Sequence, residues 1–179
     1  MRRVEVHLFM SSTSITADHS AELKKINEII SSIKFAMLTT AEADGTLRSR
    51  PMTTQQVEFD GDLWFFTNAD SPKVWETQQH REANVAFADP NKNKYVSASG
   101  KATLVTDKAK IEELWKPAYK IFFPQGLDDP ELALLKISVT KAEYWDSSST
   151  LIGRAIDFAK AYIKKDPSEL GEHAKVAVK

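Results

Sequence analysis

The stretch RPMTTQQVEFDGDLWFFTNADSPK, residues 50–73, predicts two antiparallel strands followed by a helix. Asp60 and Gly61 form a strong turn signal between the two strands. Residues 62–68 form a strand that is apolar on both faces, with Leu63 and Phe65 on one and Trp64 and Phe66 on the other. Such a strand must be covered on both faces. We therefore expect a barrel wall that a helix, a partner subunit or a ring-shaped ligand covers.

Alternating hydrophobicity and turn signals extend this hairpin in both directions. They predict six strands, over residues 34–42, 46–59, 62–68, 85–89, 95–105 and 132–146. Small residues occupy one face of the fifth strand, as a tightly curved barrel requires, and Gly100 is expected to mark a bulge in it. Because most connections are tight turns, we expect a closed antiparallel barrel rather than a doubly wound parallel sheet.

Four helices are expected around the barrel. An apolar stripe at three- and four-residue spacing predicts the first helix, capped by Asp18 or Ser20 and ending near Ser32. The second helix is expected to begin at Ser71-Pro72 and the third at Asp107, and the fourth is expected over residues 152–163. The chain of 179 residues suits one domain. We expect that domain over residues 18–165, after a flexible arm over 1–17 and before a polar tail over 166–179.

The composition excludes several classes of function. A net charge of -1, with 27% charged residues spread along the chain, argues against a broad nucleic-acid or membrane surface. There is no cysteine, which rules out disulfides and thiolate catalysis and fits the reducing cytoplasm. No apolar run is long enough to span a bilayer. The four histidines lack the spacing of metal ligands, so no metal site is expected.

Ser71, Pro72 and Lys73 open the second helix with a hydroxyl and free backbone N–H groups, which together suit an anion. A lysine in the first turn of a helix is disfavoured by the helix dipole, and a bound phosphate would reverse that effect. Thr67 can add a hydroxyl and Arg50 a bidentate guanidinium. The alternative is an ordinary cap, with Lys73 in water and Arg50 paired to an acidic residue, either Glu58 or Asp62.

Aromatic residues are numerous for a small barrel, and most are expected in the core. Phe122 and Phe123 fall in a loop, however, and Trp145 ends a strand. Loop aromatics beside a cationic pocket would suit a flat heteroaromatic ring that carries a phosphate. The polar segment TTQQ, residues 53–56, could bond ring heteroatoms, but an exposed strand face is the preferred interpretation.

Several segments together resemble the general stress protein branch of the pyridoxamine 5'-phosphate oxidase-like split barrels. These are RPMTT, DGDLWFFTNADSPK, YVSASGKA, IEELWKP, FPQGLDDPELALLKISVTKAEYWDS and ELGEH, in consistent order over about residues 20 to 175. The resemblance implies a mainly β, six-stranded antiparallel split barrel with surrounding helices. It also implies a homodimer with a flavin, FMN or FAD, in a cleft between the subunits.

The resemblance also assigns roles to residues. Arg50 and Lys73 match the phosphate-binding cations, helped by Ser71 and Thr67. The other implied flavin contacts are Met52, Thr53 and Thr54 along the ring, Phe66 as a pocket wall, and Trp115 and Trp145 from the partner subunit. This chain lacks the basic C-terminal segment that holds the pyridoxal substrate in the vitamin oxidases, so we do not expect pyridoxamine 5'-phosphate oxidation.

Two hypotheses of function follow from the resemblance. The first is a cytoplasmic stress-response flavoprotein with redox activity on an unknown small molecule. The second is a non-catalytic dimeric module that senses or stores flavin or binds a partner protein. The two differ in whether NADH or NADPH is turned over.

Overall fold

The computed structural model describes residues 12–55, 58–147, 163 and 172–178. An antiparallel sheet dominates the fold and helices flank it. The helices are α1 (Ser12–Ser31), α2 (Pro72–Gln79) and α3 (Lys108–Leu114), with 3-10 turns at Pro117–Ile121 and Gly126–Asp128. The strands are β1 (Phe35–Ala41), β2 (Leu47–Thr53), β3 (Asp62–Asn68), β4 (Glu82–Asp89), β5 (Lys94–Val105), β6 (Leu132–Asp146) and β7 (Glu172–Ala177).

The sheet order is β2-β1-β4-β5-β6-β3, and β7 also pairs with β6. The hairpin predicted across Asp60-Gly61 is wrong, because β2 ends at Thr53 and pairs with β1, while β3 pairs with β6. The long strand β6 pairs with β5 along one edge. Its other edge pairs with β3 through its first half and with β7 through its second half. This topology places the end of β3, the start of α2 and the middle of β2 near one another, because β1 connects β2 to the rest of the sheet and α2 contacts β1.

The main core cluster lies between one face of the sheet and α1. The apolar stripe predicted for the first helix is buried there, through Ile26, Ile29, Ile30 and Ile33. A second, smaller cluster packs around Phe66 beneath α3 and the 3-10 turns. β3 therefore contributes to both clusters, which confirms that its two apolar faces are both covered.

The bulge predicted at Gly100 is confirmed, because the register between β5 and β6 shifts between Ser99 and Gly100. A Cβ atom built on Gly100 would lie 2.2 Å from the backbone oxygen of Ser138. Only glycine permits this close approach of β6. Asp107 caps α3 as predicted, since its side chain accepts a hydrogen bond from the backbone N–H of Lys110 at 2.8 Å.

The chain differs from the predictions at both ends. The first helix begins at Ser12, so Asp18 and Ser20 lie inside it and do not cap it, and the predicted arm over 1–17 gives way to helix from residue 12 onward. Residues with cap-forming side chains also occur within helices at a modest cost, so their positions did not fix the boundary.

The sheet has seven strands in the described part of the chain, not six. The additional strand, β7, lies in the segment predicted as a polar tail over 166–179. Its alternating side chains bury Val176 while its backbone pairs with the free edge of β6. A short polar strand is stable there because β6 supplies a ready ladder of hydrogen bonds. The predicted helix over 152–163 lies outside the described residues except for residue 163.

No helix in the described part of the chain is both long enough and apolar enough to cross a bilayer.

Candidate functional site

A cleft of about 280 Å³ opens where β2, the end of β3, the start of α2 and the segment after α3 meet. Five residues predicted for the site line this cleft: Met52, Thr53, Phe66, Thr67 and Lys73. The two loop aromatics noted in the sequence, Phe122 and Phe123, also line it. The structure thus brings together a cation, a hydroxyl and an aromatic wall from segments that are far apart in the chain.

Lys73 projects from the first turn of α2 and is only partly exposed. Burial lowers the pKa of Lys73, the positive charge of Arg50 lowers it further, and Glu76 raises it. Lys73 forms no ion pair with any residue that the structure describes. Its ammonium group is therefore partly desolvated and close enough to Arg50 to be repelled by it, which differs from the alternative of a lysine extended into water.

Arg50 is held at two points. Its Nη2 donates to Oε2 of Glu76 at 2.6 Å, and its Nη1 donates to Oγ1 of Thr40 at 2.6 Å. The suggested pairing with Glu58 or Asp62 is wrong, because the acidic partner comes from α2 instead. Sequence reasoning missed Glu76, since nothing in the local pattern distinguishes this carboxylate from a solvated one.

The hydroxyl groups of Thr67 and Ser71 are hydrogen-bonded to each other at 3.0 Å. Ser71 is the N-cap of α2, but its side chain makes no capping hydrogen bond. Both residues belong to the predicted anion site, and Thr67 is buried beside Lys73 in the cleft. The turn between β3 and α2 therefore presents two paired hydroxyls next to the lysine, where an anion can accept hydrogen bonds.

The aromatic wall of the cleft is built around Phe66. Its ring contacts Tyr119, Trp115 and Phe123, with centroids 5.0, 5.5 and 6.1 Å away. Trp115 thus packs against Phe66 within its own protomer. That it lines the cleft of the partner subunit, as the resemblance implies, stays a prediction. Edge-on and tilted contacts of this kind stabilise the wall and fix the orientation of Phe66.

Sequence reasoning missed Tyr119, and it considered Gln55 only as part of the polar segment over residues 53–56. Tyr119 donates its hydroxyl hydrogen to Oε1 of Gln55 at 2.8 Å, and both residues line the cleft. Burial raises the pKa of Tyr119, and the hydrogen bond to Gln55 partly offsets that rise. Nε2 of Gln55 is buried and has no hydrogen-bond partner among the residues that the structure describes, and it lies beside a small pocket of about 20 Å³, which is large enough for one water molecule. The exposed strand face preferred for residues 53–56 is therefore wrong at Gln55, because β2 already ends at Thr53.

Five predicted residues do not line this cleft, namely Arg50, Thr54, Ser71, Trp115 and Trp145. Of these, Thr54 and Trp145 make contacts elsewhere in the fold. The hydroxyl of Thr54 donates to the backbone oxygen of Ile33 at 2.7 Å, so it ties β2 to the end of α1. Trp145 lies near the far end of β6 and stacks on His173 of β7 at 5.3 Å. Within one protomer, the geometry gives neither side chain a contact with the cleft.

These contacts define what the cleft can bind. A desolvated lysine, a neighbouring arginine and two hydroxyls suit an oxyanion, and phosphate is the common biological case. The adjoining aromatic wall suits a planar ring. The residues present therefore fit a phosphate-bearing heteroaromatic cofactor such as a flavin nucleotide.

Comparison with known proteins finds related sequences. Residues 21–169 match the family described as "Pyridoxamine 5'-phosphate oxidase like". Protein bli-3 of Neurospora crassa is 29% identical over 162 residues, which cover 83% of this chain and 78% of that protein.

Solved structures show the same fold. A protein of Xanthomonas citri described as a general stress FMN/FAD binding protein is 32% identical, with a TM-score of 0.64 over 74% of this chain and 93% of that one. General stress protein 26 of Bacillus anthracis has a TM-score of 0.62 at 22% identity, over 69% of this chain and 92% of that one. The split-barrel fold and the matched sequence together show that the chain belongs to the pyridoxamine 5'-phosphate oxidase-like family.

Proposed function

We propose that this protein binds a flavin nucleotide, FMN with FAD as the alternative, in the cleft beside Lys73. The carrying observation is that Lys73 has a partly desolvated charge, no ion-pair partner in the described chain, and a second cation next to it. A phosphate would supply the missing negative charge. The similarity to the Xanthomonas citri protein described as FMN/FAD binding supports the same ligand class.

The roles of the residues follow from their positions. Lys73 and Arg50 hold the phosphate, assisted by the hydroxyls of Thr67 and Ser71. Phe66 supports one side of the ring, and Met52 and Thr53 run along it from β2. Thr54 contributes only by anchoring β2, because its hydroxyl bonds the end of α1.

We further propose that the flavin lies between the two subunits of a homodimer. Large apolar side chains are exposed on the face of the sheet that points away from the core, where Phe35 is 61% and Trp145 38% exposed. Met37 and Tyr95 extend the same face, and Tyr95 lies opposite Trp145 in the register of β5 and β6. A patch of this kind is typical of a protein interface. In the dimer, Trp145 of the partner would reach the cleft that it does not approach within its own protomer.

We propose redox activity on a small molecule as the use of this site. A bound flavin supplies hydride and electron transfer chemistry, and the protein supplies binding, orientation and electrostatics. The cations beside the phosphate keep the cofactor in one register, and the aromatic wall excludes water from one side of the ring. A cytoplasmic role in the stress response is part of the proposal, supported by the absence of cysteine and by the stress-protein relatives.

The visible absorption spectrum of the purified protein tests the proposal. Flavin bands near those of free FMN, or a rise in melting temperature on adding FMN, are expected. A protein without flavin bands that shows neither thermal stabilisation nor fluorescence quenching with FMN contradicts it. Steady-state oxidation of NADH or NADPH by the loaded protein separates redox activity from a purely flavin-sensing module.

A further inference from the structure

Glu76 is a buried carboxylate on α2 beside the two cations Arg50 and Lys73. It lies one helical turn after Lys73 on α2 and is 9% exposed. Oε2 of Glu76 accepts hydrogen bonds from Nη2 of Arg50, at 2.6 Å, and from the hydroxyl of Thr40. Its other oxygen lies 3.8 Å from Nη1 of Arg48, a longer contact. A buried carboxylate bonded in this way is strongly fixed in position.

The charges around Glu76 do not balance by themselves. Arg50 and Lys73 repel each other, and the charge of Glu76 stabilises the protonated form of Lys73. Without a ligand, Glu76 is thus the counter-charge that allows the two cations to lie near each other. When a phosphate binds, the same carboxylate faces an anion across the cations that they share.

We propose that Glu76 is a specificity-determining residue that acts as an internal counter-charge, stabilising the empty site and limiting how tightly the phosphate of the cofactor is held. The inference rests on the proposed flavin function. It predicts that the site without this charge is less stable when empty but binds the phosphate more tightly. If Glu76 served only to orient Arg50, its substitution would weaken phosphate binding instead.

The geometry makes the substitution Glu76→Gln a clean test. Both short hydrogen bonds converge on one carboxylate oxygen, so the amide oxygen of glutamine can accept them both. The substitution therefore removes the charge while keeping the contacts to Arg50 and Thr40. Glu42→Gln is the matched control, because Glu42 is a more exposed carboxylate that contacts Arg48 at 3.5 Å.

Fluorescence titration of the apoprotein with FMN and with riboflavin, which lacks the phosphate, measures the effect. For Glu76→Gln we expect the affinity for FMN to rise about ten-fold, because one negative charge near the phosphate is removed and solvent screens it only in part. The affinity for riboflavin should stay within about two-fold of the wild-type value. Glu42→Gln should change neither affinity by more than about two-fold. An unchanged or lower ratio of FMN to riboflavin affinity in Glu76→Gln overturns the proposal.

Thermal unfolding of the apoprotein gives a second test that needs no flavin. Glu76→Gln should lower the melting temperature of the apoprotein. Adding inorganic phosphate should raise the melting temperature more in this variant than in the wild type. The double variant Lys73→Met with Glu76→Gln should regain stability, because it removes one of the two repelling cations. Failure of Lys73→Met to offset the loss, or of the double variant to fold, overturns the counter-charge role.

The two arms separate the inference from the function on which it rests. A wild-type protein that binds neither FMN nor riboflavin refutes the proposed function. If the wild-type protein binds FMN but the ratio of FMN to riboflavin affinity is lower in Glu76→Gln than in the wild type, only the role of Glu76 is refuted.

Discussion

Replacing Lys73 with methionine should weaken FMN binding without destabilising the apoprotein. Methionine keeps the apolar stem of the side chain and removes only the charged end. In the apoprotein the charge is opposed by burial, by Arg50 and by the positive end of α2, and among the residues that the structure describes Glu76 is the one that favours it. The free energy of unfolding should therefore stay the same or rise by ~0.3–1 kcal/mol, the usual contribution of a helix dipole.

The ligand should respond in the opposite direction. A charge-assisted contact to phosphate contributes about 1.5–3 kcal/mol, which corresponds to a loss of affinity of roughly ten- to 150-fold for FMN. Riboflavin has no phosphate, so its affinity should hardly change. Quenching of flavin fluorescence measures both dissociation constants, and urea denaturation measures the stability of the apoprotein.

Lys108→Met provides a matched control. Lys108 also lies in the first turn of a helix, α3, but its side chain is exposed and lies outside the cleft beside Lys73. It should show the same small dipole effect on stability and no effect on FMN. If Lys73→Met loses no more FMN affinity than Lys108→Met, or loses riboflavin affinity equally, the assignment of Lys73 to the phosphate is wrong.

Three further predictions concern pH and the fold. In the folded protein the pKa of Lys73 lies below its unfolded value of 10.5, so between the two pKa values the unfolded chain binds more protons than the folded one. The wild-type apoprotein should therefore gain stability relative to Lys73→Met as the pH rises through this window. A stability difference that stays constant from pH 7 to 10.5 would contradict this. Gly100→Ala should destabilise the fold by about 1–3 kcal/mol in urea, since its Cβ would clash with the backbone of Ser138, and a neutral effect would refute the close approach. Deleting residues 172–179 removes β7 and the burial of Val176, so unfolding free energy should fall by at least ~1.5 kcal/mol; an unchanged denaturant midpoint would show that β7 adds nothing.

Residues close in the chain were predictable because their structure depends on local patterns. The bounds of β3 and β6 match the predicted strands 62–68 and 132–146, since alternation and flanking turns determine them. The bulge at Gly100 and the cap at Asp107 follow from the special conformations that glycine and aspartate favour. Lys73 could be proposed as a binding residue from the sequence because a cation in the first turn of a helix is disfavoured by the helix dipole.

Contacts between distant segments were not predictable from those patterns. Arg50 pairs with Glu76, 26 positions along the chain, and neither the strand period nor the helix period relates the two. Gln55 and Tyr119 are 64 positions apart and meet only because the 3-10 turn after α3 folds over the end of β2. The composition of β7 does not distinguish it from a solvated tail. It forms a strand because its backbone pairs with the free edge of β6.

The amino-acid sequence alone determined the bounds of β3 and β6 and the helix that begins at Ser71-Pro72, and it led to the proposal that Lys73 binds an anion. The tertiary structure decided which carboxylate neutralises Arg50, which aromatic rings form the cleft wall, and that the sheet has a seventh strand. The physical reason is that periodicity and capping act within about one turn or one hairpin. Charge pairing and strand edges, in contrast, depend on which distant surfaces the fold brings within a few ångströms.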